Sequence, residues 1–378
     1  MSTTTYAEPI TPVDIGLVTS KLPVRATVSV IIPCYNEERF IGKALENLAG
    51  QYPREYYEII VVDGMSEDHT RQVVLEFQQS HPDLSIQLLD NPARMIPHAL
   101  NLGIAAARGE IIARMDAHAV PSPGYIKRCV EVLGHREKCD HAAIVGMPCR
   151  VRPAENTITA RAIAIGVSHP FGIGDARYRL EKRGVGPETQ EEVDTVAFAC
   201  FRKSLWTELD GFDERLLTNE DYDFNYRARA AGHRVVLDRL AHCDYFARAT
   251  VSKLASQYFR YGAWKARMIR SRPRSVKLRH LVAPAFVASI VAFVSLGFWQ
   301  SIAWGMLALE IATYLAASVG FGCQAARKNR ENFFVMLMMP LVFLTIHISW
   351  GTSFLWGFAS MPSGLRAQGS YPGPQDKG

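Results

Sequence analysis

The chain lacks the marks of a secreted or metal-stapled protein. Its seven cysteines stand singly along 378 residues, without a Cys-x-x-Cys pair. An odd number of isolated thiols argues against a disulfide or zinc framework and is typical of a reducing cytosolic compartment. The stretch 1–26 has prolines and acids but no apolar core segment, so no signal peptide is predicted there. We expect a flexible tail at 1–26 and a folded domain on the cytosolic side of any membrane.

Acidic residues are missing from one long stretch of the chain. None occurs between Asp244 and Glu310, whereas nine lysines and arginines lie from Lys253 to Arg279, although the net charge of the chain is only +5. Such a basic block can bind nucleic acid, bind anionic lipid or fix membrane topology. Because an apolar run begins directly after it, at Leu281, we expect a membrane and no nucleic-acid partner.

Three apolar runs follow the basic block. They cover residues 281–298, 302–322 and 333–358. Each approaches or exceeds the ~20 residues that cross a bilayer, although three buried core helices are an alternative. The basic block and the cluster from Arg327 to Arg330 should both face the cytoplasm. We therefore expect an interfacial helix at 251–280, two or three spans of the inner membrane at 281–360 and a flexible tail at 361–378.

The first part of the chain alternates short β-branched strands with helices. Strands are predicted at 28–33, 58–62, 85–89 and 111–115, and helices at 37–50, 67–79 and 99–107. This alternation is typical of an α/β fold with parallel strands, in which ligands bind at the carboxyl ends of the strands. Asp63 and Asp116 both lie at that edge.

The pattern from 121 to 244 is mixed. Strands are predicted near 142–147, 193–201 and 234–237, and helices at 220–231 and 252–271. We expect one α/β domain to cover 27–250.

Asp116 and His118 form a candidate metal site after the fourth strand. If the segment is extended, alternation points both side chains the same way, so that together they hold one divalent cation. The imidazole shifts the preference from Mg²⁺ towards Mn²⁺, and the cation would offset the charge of a leaving diphosphate. A solvated pair of loop residues is an equally good interpretation.

Other carboxylates have both a functional and a structural interpretation. Asp63 ends an apolar strand before Gly64, so it can bind a nucleobase or ribose, or cap the turn. Glu220 and Asp221 open a helix, where acids usually act as caps, but one of them can serve as a general base for an acceptor hydroxyl. From the local pattern alone, capping is preferred in both places.

One face of the basic helix carries amide, guanidinium and aromatic groups. Gln257, Arg260, Tyr261 and Trp264 are spaced at i, i+3, i+4 and i+7. This face can close over a sugar diphosphate, with the arginine forking two phosphate oxygens. The alternative is an interfacial helix that anchors its aromatics and arginines at the lipid headgroups.

Together these segments resemble the family 2 glycosyltransferases. Five motifs carry the resemblance, in that family's order: 28–37, 58–68, 101–116, 219–223 and 257–261. Two further segments, 169–177 and 115–118, are similar to the succinoglycan-type glucosyltransferases, which extend a lipid-linked oligosaccharide in exopolysaccharide assembly. Two residues depart from the family pattern: His118 stands in place of the usual aspartate, and Tyr261 in place of tryptophan.

The resemblance implies a nucleotide-diphosphate-sugar-binding fold of the GT-A type and an inverting reaction. Asp221 would be the catalytic base, and Asp116 and His118 would hold Mn²⁺ or Mg²⁺. The implied substrate-binding residues are Pro33, Tyr35, Glu37, Asp63, Asp116, Glu220, Gln257, Arg260 and Trp264. The implied donor is a nucleotide sugar, with UDP-glucose preferred, and the implied acceptor is a lipid-linked saccharide.

Two other functions stay open. The first is transfer of a sugar to polyprenyl phosphate. The second is a non-catalytic membrane scaffold that only binds nucleotide sugar, because His118 departs from the metal motif.

Overall fold

The computed structural model describes residues 27–140, 142–180 and 189–360. The tails expected at 1–26 and 361–378 lie outside these ranges. The first part of the chain folds as β1 (Val28–Cys34), α1 (Ile41–Leu48), β2 (Tyr57–Asp63), α2 (Thr70–Ser80), β3 (Ser85–Asp90), α3 (Ile96–Ala106) and β4 (Ile111–Arg114). The predicted alternation is confirmed. These four strands are parallel, in the order β3-β2-β1-β4, so their carboxyl ends meet at one edge.

The middle of the chain completes a mixed sheet. It folds as β5 (Val120–Pro121), α4 (Tyr125–Asp140), β6 (Ala142–Gly146), β7 (Cys149–Pro153), α5 (Ile158–Gly166), α6 (Pro170–Ile173), β8 (Gln190–Glu192), β9 (Cys200–Arg202), α7 (Lys203–Glu208), α8 (Glu220–Ala230), β10 (Arg234–Asp238), β11 (Cys243–Ala247) and α9 (Val251–Ser271). The eight-stranded sheet has the order β3-β2-β1-β4-β9-β6-β10-β8, with β9 antiparallel to β4 and β6. A second sheet joins β5, β11 and β7.

Helices cover both faces of the large sheet, because its strands are apolar on both sides. In β1, Val30 and Ile32 face one core with α1, α2 and α4, whereas Ile31 faces the other with α3, α7 and α8. A strand that is buried on both faces reads as a continuous apolar run, as observed. The sheet is thus held rigidly, and its carboxyl edge is a stable platform for a site.

The strand predicted at 193–201 is wrong for residues 193–199. Backbone carbonyl groups that would pair with a neighbouring strand are instead bound by side chains. Asn225 donates to the carbonyl oxygen of Val196, and Arg229 donates to that of Asp194. Phe198 also has a positive φ of 51°. Alternating apolar residues predicted a strand, but long-range side-chain bonds fix the segment in an irregular path along a cavity.

Three apolar helices end the described chain: α10 (Val282–Gly297), α11 (Ser301–Lys328) and α12 (Phe333–Ala359). By length and composition α11 and α12 could each cross a membrane, whereas α10 is shorter. Most of α11 is exposed, unlike a core helix of a soluble protein. One face of α12, however, is buried against α5 and α9 of the preceding domain.

Small residues let α12 approach its neighbours closely. A Cβ atom on Gly262 of α9 would lie 2.5 Å from the carbonyl oxygen of Trp350, and one on Gly351 would lie 2.5 Å from that of Ala283 in α10. Contacts of this kind bring helix backbones together where larger side chains would separate them. The α12 helix therefore packs against the sheet domain and also belongs to the apolar region.

The short helix α6 fastens the sheet domain to the apolar helices. The ring of Phe171 packs against Phe343 and His347 of α12 and against Tyr314 of α11. Nε2 of His347 lies 2.8 Å from the carbonyl oxygen of Phe171, so it carries the proton and donates. Nδ1 is then the acceptor for the Tyr314 hydroxyl at 2.9 Å. One neutral imidazole thus links α6, α11 and α12.

Candidate active site

A cavity of about 880 Å³ runs from the carboxyl edge of the sheet to the apolar helices. Asp116 and His118, which follow β4, line it together with Glu220 and Asp221 at the start of α8. Its apolar wall comes from α6, α10, α11 and α12, and includes Phe171, Ile173, Val282, Phe286, Tyr314 and Ile346. One space therefore joins polar groups at the sheet edge to an apolar surface.

Arg114, the last residue of β4, organises the carboxylates of the cavity. Its Nη2 lies 2.9 Å from Glu220 Oε1 and 3.3 Å from Asp116 Oδ1, and its Nη1 lies 3.9 Å from Asp221 Oδ2. Burial opposes the charge, but these three carboxylates raise the pKa of Arg114 above its ordinary value. Arg114 was not predicted from the sequence as a site residue. A lone charge ending an apolar strand was the available signal.

The acids of α8 have different environments. Glu220 is buried against Arg114, and burial raises its pKa to about 7, although Arg114 opposes this. Asp223 is enclosed and pairs with Arg227 and Arg272. The side chain of Asp221 is 32% exposed, and among the described residues its one hydrogen bond goes to Oδ1, from the backbone N–H of Tyr222 at 2.7 Å. Among these acids, Asp221 is the carboxylate best placed to meet a substrate hydroxyl.

The segment after β4 does not continue as an extended strand. The backbone N–H of Ala119 donates to the carbonyl oxygen of Asp116 at 3.0 Å, which closes a turn. The extended geometry expected for Asp116 and His118 is therefore wrong. Instead Asp116 faces Arg114, and Nδ1 of His118 lies 3.0 Å from Glu37 Oε1. Burial lowers the pKa of His118, but Glu37 and Asp116 outweigh it and raise the pKa.

These residues fit a metal that is shared with a substrate. No group of three or more His, Cys, Asp or Glu side chains within 27–140, 142–180 and 189–360 is arranged to hold an ion. Mg²⁺ commonly takes one or two carboxylates and completes its shell with substrate phosphates and water. Asp116 is partly exposed to the cavity, so it can supply one such carboxylate.

The residues after β1 and β2 lie next to the cavity rather than on its lining. Asp63 has a fully buried carboxylate that accepts hydrogen bonds from Ser66 and Arg71. In this structure it therefore caps the turn after β2. Tyr35 is exposed, with the Arg94 guanidinium 5.4 Å from its ring centroid. Arg94 lines the cavity. Pro33 is the next-to-last residue of β1 and pairs in register with Val62, the residue before Asp63.

The α9 helix contributes most of the residues expected of it. Gln257 is buried and donates to the hydroxyls of Tyr245 and Tyr261, at 3.0 and 2.9 Å. Arg260 lines the cavity. Trp264 is not part of the cavity lining. It packs instead beside Leu216, Tyr222 and Met268, under the Arg267 guanidinium.

Further cationic residues that were not predicted from the sequence line the cavity, among them Arg179 and Lys265. The guanidinium of Arg179 lies 5.3 Å from the Tyr245 ring centroid, and its Nε has no hydrogen-bond partner among the residues that the structure covers. Lys265 is buried on α9, one turn beyond Tyr261. That i+4 spacing was the signal that could have identified it.

Comparisons with known proteins identify the family of the chain. The family described as Glycosyl transferase family 2 matches residues 29–206. A Methanococcus voltae protein named dolichyl N-acetyl-alpha-D-glucosaminyl phosphate 3-beta-D-2,3-diacetamido-2,3-dideoxy-beta-D-glucuronosyltransferase is 30% identical over 245 residues, which are 64% of this chain and 74% of that protein. The succinoglycan biosynthesis protein ExoA of Rhizobium meliloti is 25% identical over 334 residues, 86% of this chain and 93% of that protein.

Among solved structures, the mannosyltransferase PcManGT from Pyrobaculum calidifontis, in complex with GDP-Man and Mn²⁺, has the same fold. Its TM-score is 0.60 at 22% identity, and the match covers 88% of each chain. The expected GT-A-type α/β domain followed by apolar helices is thus confirmed. With the motifs at the sheet edge and the carboxylates around Arg114, these matches establish that the chain belongs to glycosyl transferase family 2 and is a nucleotide-sugar-dependent glycosyltransferase.

Proposed function

We propose that this enzyme transfers a hexose, with glucose from UDP-glucose as the preferred donor, to a lipid-linked saccharide in the synthesis of an exopolysaccharide or envelope glycan. The observation that carries the proposal is the position of Asp221, whose partly exposed carboxylate shares one cavity with Arg114, Arg179 and Arg260 and with the apolar helices. The names of the two relatives support a lipid-linked acceptor and a polysaccharide product.

The proposed reaction is a single displacement with inversion. The acceptor hydroxyl oxygen forms a bond to the anomeric carbon while the bond from that carbon to the diphosphate oxygen breaks. Asp221 Oδ2 takes the hydroxyl proton, and the nucleoside diphosphate leaves with the bonding electrons. A general base contributes ~10²–10⁴-fold to such a step. Arg114 and the backbone N–H of Tyr222 hold the Asp221 carboxylate in place.

The leaving diphosphate would be stabilised by cations on the cavity wall. Arg260 and Arg179 line the cavity, and neither pairs with an acid in the described part of the chain. A guanidinium can bind two phosphate oxygens at once. Mn²⁺ or Mg²⁺, held by Asp116 with His118 nearby, would offset negative charge on the same phosphates. Pro33, Tyr35, Glu37 and Asp63 would shape the nucleotide end of the site.

We further propose that the protein is a multi-pass protein of the cytoplasmic membrane, with the sheet domain in the cytoplasm. The long apolar helices α11 and α12 support this, as do the exposed apolar side chains on their outer faces. Arg327 and Lys328 at the end of α11 would face the cytoplasm, as would the basic residues of α9. The active site would then lie beside the membrane surface, where a lipid-linked acceptor presents its sugar.

The test is a donor screen with product mass as readout, together with Asp221→Asn. We expect UDP-glucose to give a hexose addition on a lipid-linked saccharide. Asp221→Asn should lower kcat ~10²–10⁴-fold with little change in donor affinity. Asp210→Asn, the same change at an exposed aspartate away from the cavity, should be neutral. Near-normal kcat in Asp221→Asn would refute the assigned base. A product with the mass of a hexosyl polyprenyl phosphate would show that polyprenyl phosphate is the acceptor. If no donor gave turnover, the protein would instead be the non-catalytic scaffold.

A further inference from the structure

A buried cation in the cavity has no role in the transfer step just proposed. Lys265 is buried, with only 2% of the residue's surface exposed. Its Nζ lies 3.2 Å from the Tyr222 ring centroid and 3.6 Å from the Met268 sulfur, and no carboxylate of the described ranges forms an ion pair with it. An ammonium group has three donors and is costly to bury without acceptors. Its surroundings therefore suit an anionic ligand that enters the cavity.

Lys265 lies near the proposed catalytic carboxylate of Asp221, but it contacts the ring of Tyr222. Tyr222, whose ring it faces, directly follows Asp221 at the start of α8. The neighbouring Arg279 is already paired with Asp175 and Asp194, so it has less capacity to bind a ligand than Lys265. A group held by Lys265 would thus lie within the same cavity as the proposed base.

The cavity that Lys265 lines also has an apolar wall, which contains another buried donor without a partner among the described residues. Ala283 and Phe286 of α10 and Ile346 and Trp350 of α12 line the same cavity as Lys265. Nε1 of Trp350 is buried and has no hydrogen-bond acceptor in the described structure. An indole N–H normally finds a partner when it is buried. Charge, a free donor and an apolar wall together match an amphiphile with an anionic head.

We propose that Lys265 binds the phosphate group of the acceptor, a polyprenyl phosphate or diphosphate carrying the saccharide, and that the hydrocarbon chain leaves along the wall of α10 and α12. This assignment rests on the proposed function, because it names how the lipid-linked acceptor is held. The phosphate would fix the lipid end of the acceptor and leave its sugar hydroxyl to approach Asp221. Arg260 would then bind the donor phosphates, and Lys265 would bind the acceptor phosphate.

The test uses the full chain in neutral detergent, with UDP at saturation so that free anions do not report on the donor site. Farnesyl diphosphate is the probe, and inorganic pyrophosphate, farnesol and a short-chain phosphatidylglycerol are comparison ligands. Lys265→Met should weaken farnesyl diphosphate binding ~10–100-fold, as expected for a lost charged hydrogen bond. Arg267→Met, on the same helix but away from the cavity, should leave it unchanged.

The comparison ligands identify the source of the phosphate. Farnesol should bind weakly and equally to both variants and to the native protein, and pyrophosphate should bind far less tightly than farnesyl diphosphate. Equal binding of farnesyl diphosphate to Lys265→Met and native protein would overturn the assignment. So would equal competition by phosphatidylglycerol, which would indicate a general lipid contact. Retained UDP affinity and a cooperative thermal transition show that Lys265→Met is folded.

Turnover separates this assignment from the proposed function. With a lipid-linked saccharide, Lys265→Met should raise the acceptor KM at least tenfold while the donor KM stays constant. If native protein transfers no sugar to such an acceptor but its farnesyl diphosphate binding still needs Lys265, the proposed function fails and the phosphate site stands. If transfer occurs and the acceptor KM is unchanged in Lys265→Met, the site fails and the function stands.

Discussion

Replacing Lys265 by methionine should make the folded protein more stable, although it should weaken acceptor binding. Burial, with Arg279 nearby, lowers the pKa of Lys265 from 10.5 to about 7. Since one pH unit corresponds to about 1.4 kcal/mol, the charged amine costs about 5 kcal/mol of folding free energy below pH 7. The Tyr222 ring offsets up to about 2 kcal/mol of this cost. The net gain from Lys265→Met is therefore about 3 kcal/mol at pH 6.

The gain should depend on pH in a definite direction. Because the pKa of Lys265 is lower in the folded state, its destabilising effect is complete below the folded value and disappears as pH rises towards 10.5. The advantage of Lys265→Met should therefore fall to about 1 kcal/mol by pH 10. Thermal unfolding of both proteins in detergent at pH 6 and pH 10 measures this, with a difference of about 5 °C expected at pH 6.

Arg267→Met is the matched control, because it removes a cation that stacks on Trp264 outside the cavity. It should give no stabilisation at either pH. The reasoning would be refuted if Lys265→Met destabilised the protein at pH 6, or if its effect were the same at both pH values. Either result would mean that the ammonium is solvated in the folded protein.

Two other perturbations test the carboxylates. Arg114→Lys keeps the positive charge but loses the forked guanidinium that reaches Glu220, Asp116 and Asp221. We therefore expect kcat to fall ~10–100-fold while the donor KM stays nearly constant. Steady-state kinetics in which only the donor KM rose would contradict this. Asp116→Ala should abolish the dependence of donor binding on Mn²⁺ or Mg²⁺, measured by titration with and without chelator, whereas full activity of the native enzyme under strong chelation would remove the metal from the mechanism.

The positions of Asp63 and Asp116 could be predicted because Asp63 ends an apolar strand and Asp116 follows one. The two strands, β2 and β4, are parallel and lie on either side of β1, so they present these residues at the same edge of the sheet. Asp221 was identified by its motif, and its local pattern alone favoured a cap. The ion pairs with Arg114 then distinguish it from Glu220, and they join residues of β4 and α8 that lie far apart in sequence.

The cavity end of α9 shows where a local pattern stops being informative. Helical spacing places Gln257 and Trp264 on one face, but it does not say how far the cavity extends along that face. Packing between α8 and α9 removes Trp264 from the cavity, while Lys265 enters it. Likewise the irregular path of residues 193–199 depends on Asn225 and Arg229, which follow later in the chain. Such features need the tertiary structure.

The double role of α12 has a consequence for how the enzyme is made. Its Trp350 and Ile346 form part of the cavity wall, and its inner face completes the packing of α5 and α9. The ribosome releases this helix after every other wall of the cavity has been synthesised. A nascent chain without α12 therefore has an open, incomplete site, and we expect it to be inactive. If α12 folds back only once α10 and α11 have reached the bilayer, the order of synthesis itself would prevent the enzyme from consuming nucleotide sugar before it is in place.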